Sequence, residues 1–163
     1  MLELYHAGLT ACSKKVRLCL REKGLDYVSH YVELGKFDQH DPDYLKLNPN
    51  DLVPTLVHDD AAIIESTVIN EYLDEVFPEP PLMPSAPAGR AEARIWIDFC
   101  DNRFVITFYK LLLEQDNDKQ NKYRERMLDH LRFLETEALS GALSSGPYWR
   151  GKAFSLVDVS FAS

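Results

Sequence analysis

The sequence predicts an α/β domain of element order β-α-β-α-β-β-α followed by an all-α domain. Three observations carry this. Short strand patterns at 2–6 and 27–34 flank one helical pattern. Two short apolar runs, 55–58 and 61–64, are separated only by Asp59 and Asp60. Beyond residue 87 the apolar spacing is helical.

Leu2–His6 alternates weakly and reads as a buried strand. A loop of mostly small residues follows at 7–12. Residues 13–23 read as a helix with Val16, Cys19 and Leu20 apolar and Lys14, Lys15, Arg17 and Arg21 elsewhere around it. Gly24 is its expected stop. Thr10, Cys12 and Ser13 sit where loop becomes helix, and Ser13 is the expected N-cap. Unpaired N–H groups and the positive end of the helix dipole point outward there, a setting that stabilises a thiolate. Tyr27–Leu34 reads as the second strand, parallel to the first because a helical crossover joins them. A polar loop at 35–41 leads to a short helix, 42–47, stopped by Asn48-Pro49. Pro54 cannot donate a ladder hydrogen bond, so it belongs at the start of the strand Thr55–His58. A hairpin joins that strand to Ala61–Ile64. Glu65-Ser66-Thr67 opens a helix to about Phe77, with Val68, Ile69, Tyr72, Leu73, Val76 and Phe77 as its apolar stripe.

Residues 78–87 hold five prolines in ten positions, which excludes helix and central strand. The sequence therefore divides into a domain at 1–77, a linker at 78–87 and a helical domain at 88–163. Ala88–Leu113 reads as one long helix with Ile95, Phe99, Val105, Ile106, Tyr109 and Leu112 inward. Lys119–Leu139 reads as a second, with Tyr123, Met127, Leu131 and Leu134 on one stripe. A Ser/Gly loop is expected at 140–146. Ser155–Asp158 has the form of a capping box opening a third helix. The sequence ends about two turns later, so the helical domain is expected to be incomplete.

The 163 residues, 45% hydrophobic, suffice for one ordinary core or two small ones. A net charge of −8 with no basic run makes a poor nucleic-acid binder. No apolar segment approaches a membrane span, and no signal-peptide pattern opens the chain. Cys12, Cys19 and Cys100 form no metal-ligand spacing and read as reduced thiols, so a cytoplasmic location and no metal are expected.

Taken together, T-A-C-S-K-K-V-R at 10–17, N-P-x-x-x-V-P at 48–54, Glu65-Ser66 and S-x-x-D at 155–158 resemble the glutathione transferase family. The first-helix motif is most similar to the zeta-like and related bacterial branches, including reductive dehalogenases and ether-cleaving enzymes. The resemblance implies a thioredoxin-like first domain that binds glutathione and a homodimer. Its detoxification chemistry transfers the glutathione thiolate to a small hydrophobic electrophile, or uses it for thiol-dependent reduction or dehalogenation. The electrophile is expected between the domains, near Ala7–Leu9 and 95–112. The resemblance also implies a cis Val53–Pro54 bond offering the Val53 backbone to the ligand. Ser66 and the helix start behind it would take the γ-glutamyl carboxylate, and Glu65 its ammonium. His40, and more weakly Lys36, would hold the cysteinyl or glycine end; a solvated loop histidine is the other reading of His40. For thiol activation three residues stay open. Thr10 stands where zeta-like members have a serine, Cys12 matches the beta-like thiol, and Ser13 is adjacent. A hydroxyl lowers the thiol pKa by donation, whereas a cysteine supports disulfide exchange. The beta-like His-Lys pair is missing: Arg103, Phe104, Val105 and Ile106 stand there. Arg103 and Tyr109 border either an electrophile pocket or a surface. Proteins similar to this family also act as non-catalytic regulatory modules of the stringent-starvation type, which is the rival expectation.

Overall fold

The computed structural model describes residues 1–8, 10–138 and 146–163. They divide into two compact units, Met1–Pro81 with Ala162–Ser163, and Leu82–Phe161.

The first unit is built on a four-stranded mixed sheet of order β2-β1-β3-β4. Its strands are β1 (Leu2–His6), β2 (Val28–Tyr31), β3 (Thr55–His58) and β4 (Ala61–Ile64). β2 runs parallel to β1, and β3 is antiparallel to both of its neighbours. Alternation sorts the two faces. Leu2, Leu4 and His6 of β1 are buried on one side, while Glu3 and Tyr5 face the other. Leu4 pairs with Leu56, which extends the buried face.

Helices α1 (Ala11–Glu22) and α3 (Ser66–Val76) pack against each other, burying Val16, Cys19, Leu20, Ile69 and Leu73. Each fully buried Leu or Ile there contributes about 1.5–3 kcal/mol. Gly24, at φ +62°, closes α1: Gly24 N–H donates to Arg21 O (3.0 Å) and Leu25 N–H to Leu20 O (2.9 Å), a Schellman motif. The stripe read along α3 is too wide, because Val68 and Val76 are exposed and Asn70 and Asp74 are buried in their stead. Lys23 accounts for Asp74. Its ammonium pairs with the Asp74 carboxylate at 2.8 Å and donates to Phe77 O (2.8 Å) and Pro80 O (2.9 Å). The short helix α2 (Pro42–Leu47) lies on the Tyr5 side, where Tyr44 meets the Tyr5 ring at 5.8 Å.

In the second unit, α4 (Pro87–Phe99), a π-helical stretch (Cys100–Val105) and α5 (Ile106–Leu113) follow without a break. α6 (Asn117–Phe133) continues into a second π stretch (Leu134–Ala138), and α7 (Leu156–Phe161) closes the unit. The expected Ser/Gly loop and the end of the second helix at Leu139 lie outside the described residues, apart from Gly146. The inward set expected along the first helix needs correction. Phe99 is buried, but Ile95, Ile106, Tyr109 and Leu112 are exposed. Ala93, Ile97, Cys100 and Thr107 hold the inner face. A helix with apolar residues on several sides leaves its phase open, and here small residues occupy the face where helices approach. Leu131 is likewise exposed, while Met127 and Leu134 are buried. Phe99, Leu134 and Ala138 form the core, with Trp96, Phe104, Trp149 and Phe161 packed against it. The Asp158 carboxylate accepts from Ser155 N–H (2.9 Å), Ser155 Oγ–H (2.7 Å) and Trp149 N–H (2.7 Å). The capping residues thus also tie the preceding loop to α7.

Candidate functional site

Strand register gathers the candidate residues at one end of the sheet. Tyr5 pairs with Thr55, and Thr55 with Ile64. One step outward along this row come His6, Pro54 and Glu65. From there β1 runs into the loop before α1, β3 is entered through Val53–Pro54, and β4 runs into α3. Adjacent strands lie about 4.8 Å apart, so the three chain ends span about 10 Å. β2 also ends on this side, and Val32 N–H donates to His6 O at 2.9 Å.

α1 starts two residues earlier than its periodicity suggested, and this exchanges two expected roles. Thr10, not Ser13, is the N-cap: its Oγ1 accepts from Ser13 N–H at 3.3 Å. A hydroxyl that accepts from the backbone keeps its proton to donate. The Ser13 side chain is buried, with its Oγ accepting from Ala7 N–H at 3.3 Å. Cys12 is exposed in the first turn of α1. The neighbouring Leu9 lies outside the described residues.

Arg17 completes this corner, and the sequence reading missed it. Its guanidinium reaches back from the second turn of α1 to donate to Ala7 O and Gly8 O, both at 2.9 Å. It also lies 3.1 Å from His6 Nδ1, and His6 Nε2 is 2.8 Å from Ser29 Oγ. Burial, and then the Arg17 charge, hold His6 below its ordinary pKa, against an opposing backbone hydrogen bond at Ala7. A neutral imidazole fits both neighbours: Nδ1 accepts from Arg17, and Nε2–H donates to Ser29.

The Val53–Pro54 bond is cis, and Pro54 is buried. A polar network fixes the loop in front of it. Buried Asn48 donates through Nδ2 to Leu52 O (2.8 Å) and Thr55 Oγ1 (3.1 Å), and its Oδ1 accepts from Asn50 N–H (3.0 Å). The Tyr44 hydroxyl donates to Leu52 O and lies 3.0 Å from Thr55 Oγ1. Asn48 had been read only as a helix stop. An Asn-Pro pair six residues before a second proline is the signal that points to such a loop anchor.

At α3 the backbone of Glu65 takes φ +68°, a left-handed setting that a residue with a Cβ adopts at a cost. Its exposed side chain makes no capping hydrogen bond. Ser66 follows as the first helical residue and is buried. α1 is thus capped by a side chain of its own, whereas α3 lacks one at its N-cap. His40 lies in the loop after β2, exposed, stacked on Phe37 and 3.4 Å from the Asp51 carboxylate. Lys36 is exposed in the same loop.

A separate hollow of about 480 Å³ lies around Tyr5, His30, Tyr31 and Tyr44 and includes none of the candidate residues. Among the described residues no cluster of His, Cys, Asp and Glu suits a metal, and no helix is long and apolar enough to cross a membrane.

The family model described as "Glutathione S-transferase, N-terminal domain" matches residues 11–76. Protein LigF of Sphingobium sp. is 45% identical over 105 residues, covering 63% of this chain and 41% of that protein. The crystal structure of the beta-etherase LigF from Sphingobium sp. strain SYK-6 superposes with a TM-score of 0.73 at 31% identity, covering 98% of this chain and 80% of that one. The stringent starvation protein A homolog of Haemophilus ducreyi is 35% identical over 146 residues, covering 90% of this chain and 64% of that protein. Glutathione transferase Omega 3C from Trametes versicolor superposes with a TM-score of 0.86 at 32% identity, covering 99% of this chain and 70% of that one. The chain spans less than two thirds of the length of these curated relatives.

Proposed function

The chain belongs to the glutathione S-transferase family, and we propose that its first unit binds glutathione across the sheet end and activates the glutathione thiol beside Thr10 and Cys12. The observation that supports this most is the meeting of a capped helix start, an irregular strand entry and a helix start without a side-chain cap at one edge. A tripeptide-sized ligand extends about 10 Å, the span of that edge. The γ-glutamyl carboxylate goes to the first N–H groups of α3 and to Ser66, and its ammonium to Glu65. The cysteinyl backbone pairs with Val53, next to Pro54. His40, already facing Asp51, borders the glycine end.

Thr10 and Cys12 do different chemistry. Thr10 donates its hydroxyl proton to the glutathione sulfur and, with the α1 dipole, stabilises the thiolate. That sulfur attacks the electrophilic carbon, the leaving group departs with its bonding pair, and the thiol proton passes to solvent. Cys12 serves exchange instead. Its thiolate attacks a mixed disulfide of glutathione and releases the substrate thiol; a second glutathione then frees Cys12 as oxidised glutathione forms. Exposure of Cys12 favours access for this route. Ser13, buried and turned to Ala7, is the weakest of the three candidates.

Intact mass after incubation with oxidised glutathione tests the reading in wild type and Cys12→Ala. A reducible adduct of one glutathione, lost in the variant, assigns redox or dehalogenation chemistry to Cys12. Retention on immobilised glutathione without an adduct leaves thiolate activation to Thr10 and favours conjugation. No retention and no adduct would overturn the enzyme reading in favour of a non-catalytic regulatory module, which the similarity to the stringent starvation protein A homolog supports. A homodimer and a cytoplasmic location belong to the same proposal.

A further inference from the structure

The helical unit carries a second candidate site, independent of the glutathione reading. Arg103, Thr107 and Lys110 fall at i, i+4 and i+7 along the π stretch and α5. Tyr123, Arg126 and His130 fall at i, i+3 and i+7 on α6. The two stripes line a hollow of about 270 Å³, just under the roughly 300–1,000 Å³ of pockets for drug-sized ligands. Thr107 and His130 are its buried members, joined by Thr107 Oγ1···His130 Nε2 at 3.2 Å.

The charged residues that line this hollow are all basic. Arg126 and Lys110 have no ion-pair partner among the described residues, and the Arg103 guanidinium lies 5.7 Å from the centre of the Phe99 ring. That ring contact leaves the Arg103 N–H groups available. The acids close by lie outside this lining: Asp129 pairs with Arg132 at 3.1 Å and with Glu125 lines an adjoining hollow shared with Arg126 and His130, and Glu114 lines another with Lys110 and Tyr123. Burial, and then the Arg126 and Arg103 charges, hold His130 below its ordinary pKa, with Asp129 opposing. Its second ring nitrogen has no hydrogen-bond partner among the described residues. Three cations repel one another in a chain whose net charge is −8, so their convergence has a physical use when an anion sits between them. The π stretch that carries Arg103 is itself a helix irregularity frequent at functional sites.

We propose that this hollow binds a small phosphate-bearing anion, a phosphate monoester or free phosphate. Two guanidinium groups from opposite helices suit the bidentate geometry of a phosphoryl group, and Lys110 adds a point charge. The volume admits the phosphoryl group and a small attached body, at most a single ring.

The test is calorimetric titration of the full chain with inorganic phosphate and with phenyl phosphate, against sodium chloride at equal ionic strength. Wild type, Arg126→Met and Arg132→Met are compared, each checked by circular dichroism. Both substituted positions are exposed, so folding is preserved. Saturable one-to-one binding is expected, about 10–100-fold weaker in Arg126→Met and unchanged in Arg132→Met. Tighter phenyl phosphate assigns a monoester; equal affinity assigns free phosphate. No saturable binding by about 10 mM, or an equal loss in Arg132→Met, overturns the proposal. No glutathione enters the titration, so its outcome is separate from that of the glutathione reading.

Discussion

Nη1 of Arg17 lies 3.1 Å from Nδ1 of His6, and the same guanidinium donates to the two carbonyl oxygens that follow His6. A side chain from the helix therefore holds the loop that leads into that helix. Arg17→Met removes three donor contacts and leaves the stem. Stability is expected to fall by about 1–2 kcal/mol, because the contacts are partly solvated. In the proposed reaction, kcat/KM is expected to drop by roughly tenfold or more as Thr10 loses its position. Urea midpoints and conjugation kinetics check the two effects separately.

His6 and His130 give stability a pH dependence. Both are held below the ordinary histidine pKa, chiefly by burial. The unfolded chain takes up these protons first as pH falls, so the stabilisation is present above about pH 6.5 and is lost on acidification below it. Thermal midpoints from pH 7.5 to 5 are expected to decline, and His6→Gln is expected to flatten part of the slope. A slope unchanged in both His6→Gln and His130→Gln would assign the acid sensitivity to other groups.

The three thiols are expected to react in a fixed order. Cys12 is exposed, whereas Cys19 and Cys100 are buried. Burial pushes the Cys19 thiol up to about 12, with Asp74 and Glu22 adding to it and Lys23 opposing. Cys100 Sγ sits 3.3 Å from Ser160 O. Iodoacetamide on the native protein is expected to label one site, mapped to Cys12 by peptide mass; urea should release the other two. Native labelling at Cys19 would contradict the packing of α1 on α3.

Lys23 and Asp74 tie the far ends of α1 and α3 together in the interior. Lys23→Met removes one ammonium partner of the buried carboxylate and is expected to cost up to about 3–5 kcal/mol. Adding Asp74→Leu is expected to recover much of that loss, since an apolar pair can replace a buried ion pair. Chemical denaturation of the two single variants and the double variant measures the coupling.

Local chemistry made much of this fold legible. Pro54, the Asp59-Asp60 turn and Gly24 each act within a few residues, so β3, β4 and the end of α1 could be read directly. The position of the sheet end that gathers Thr10, Val53 and Ser66 followed from the same elements once their register was fixed. The Arg17 contact could not be read, because it joins residues nine and ten apart through a turn of loop and helix. The exchange between Thr10 and Ser13 arose because α1 begins in residues with no apolar spacing to mark them. The face of α4 and α5 was misread for a different reason. Ile95, Ile106 and Leu112 outweigh Ala93, Cys100 and Thr107 in hydrophobicity, yet small residues allow closer helix approach.

The π stretch at Cys100–Val105 has a consequence at the level of the gene. A π turn closes its hydrogen bonds over one residue more than an α turn. Loss of one codon inside 100–105 therefore converts the stretch to regular α-helix and leaves the flanking turns nearly in phase. Loss of one codon within 106–113 instead rotates everything after it by about 100°, carrying later side chains away from α6. This long helix thus has one place where its reading length can shorten while its packing is kept.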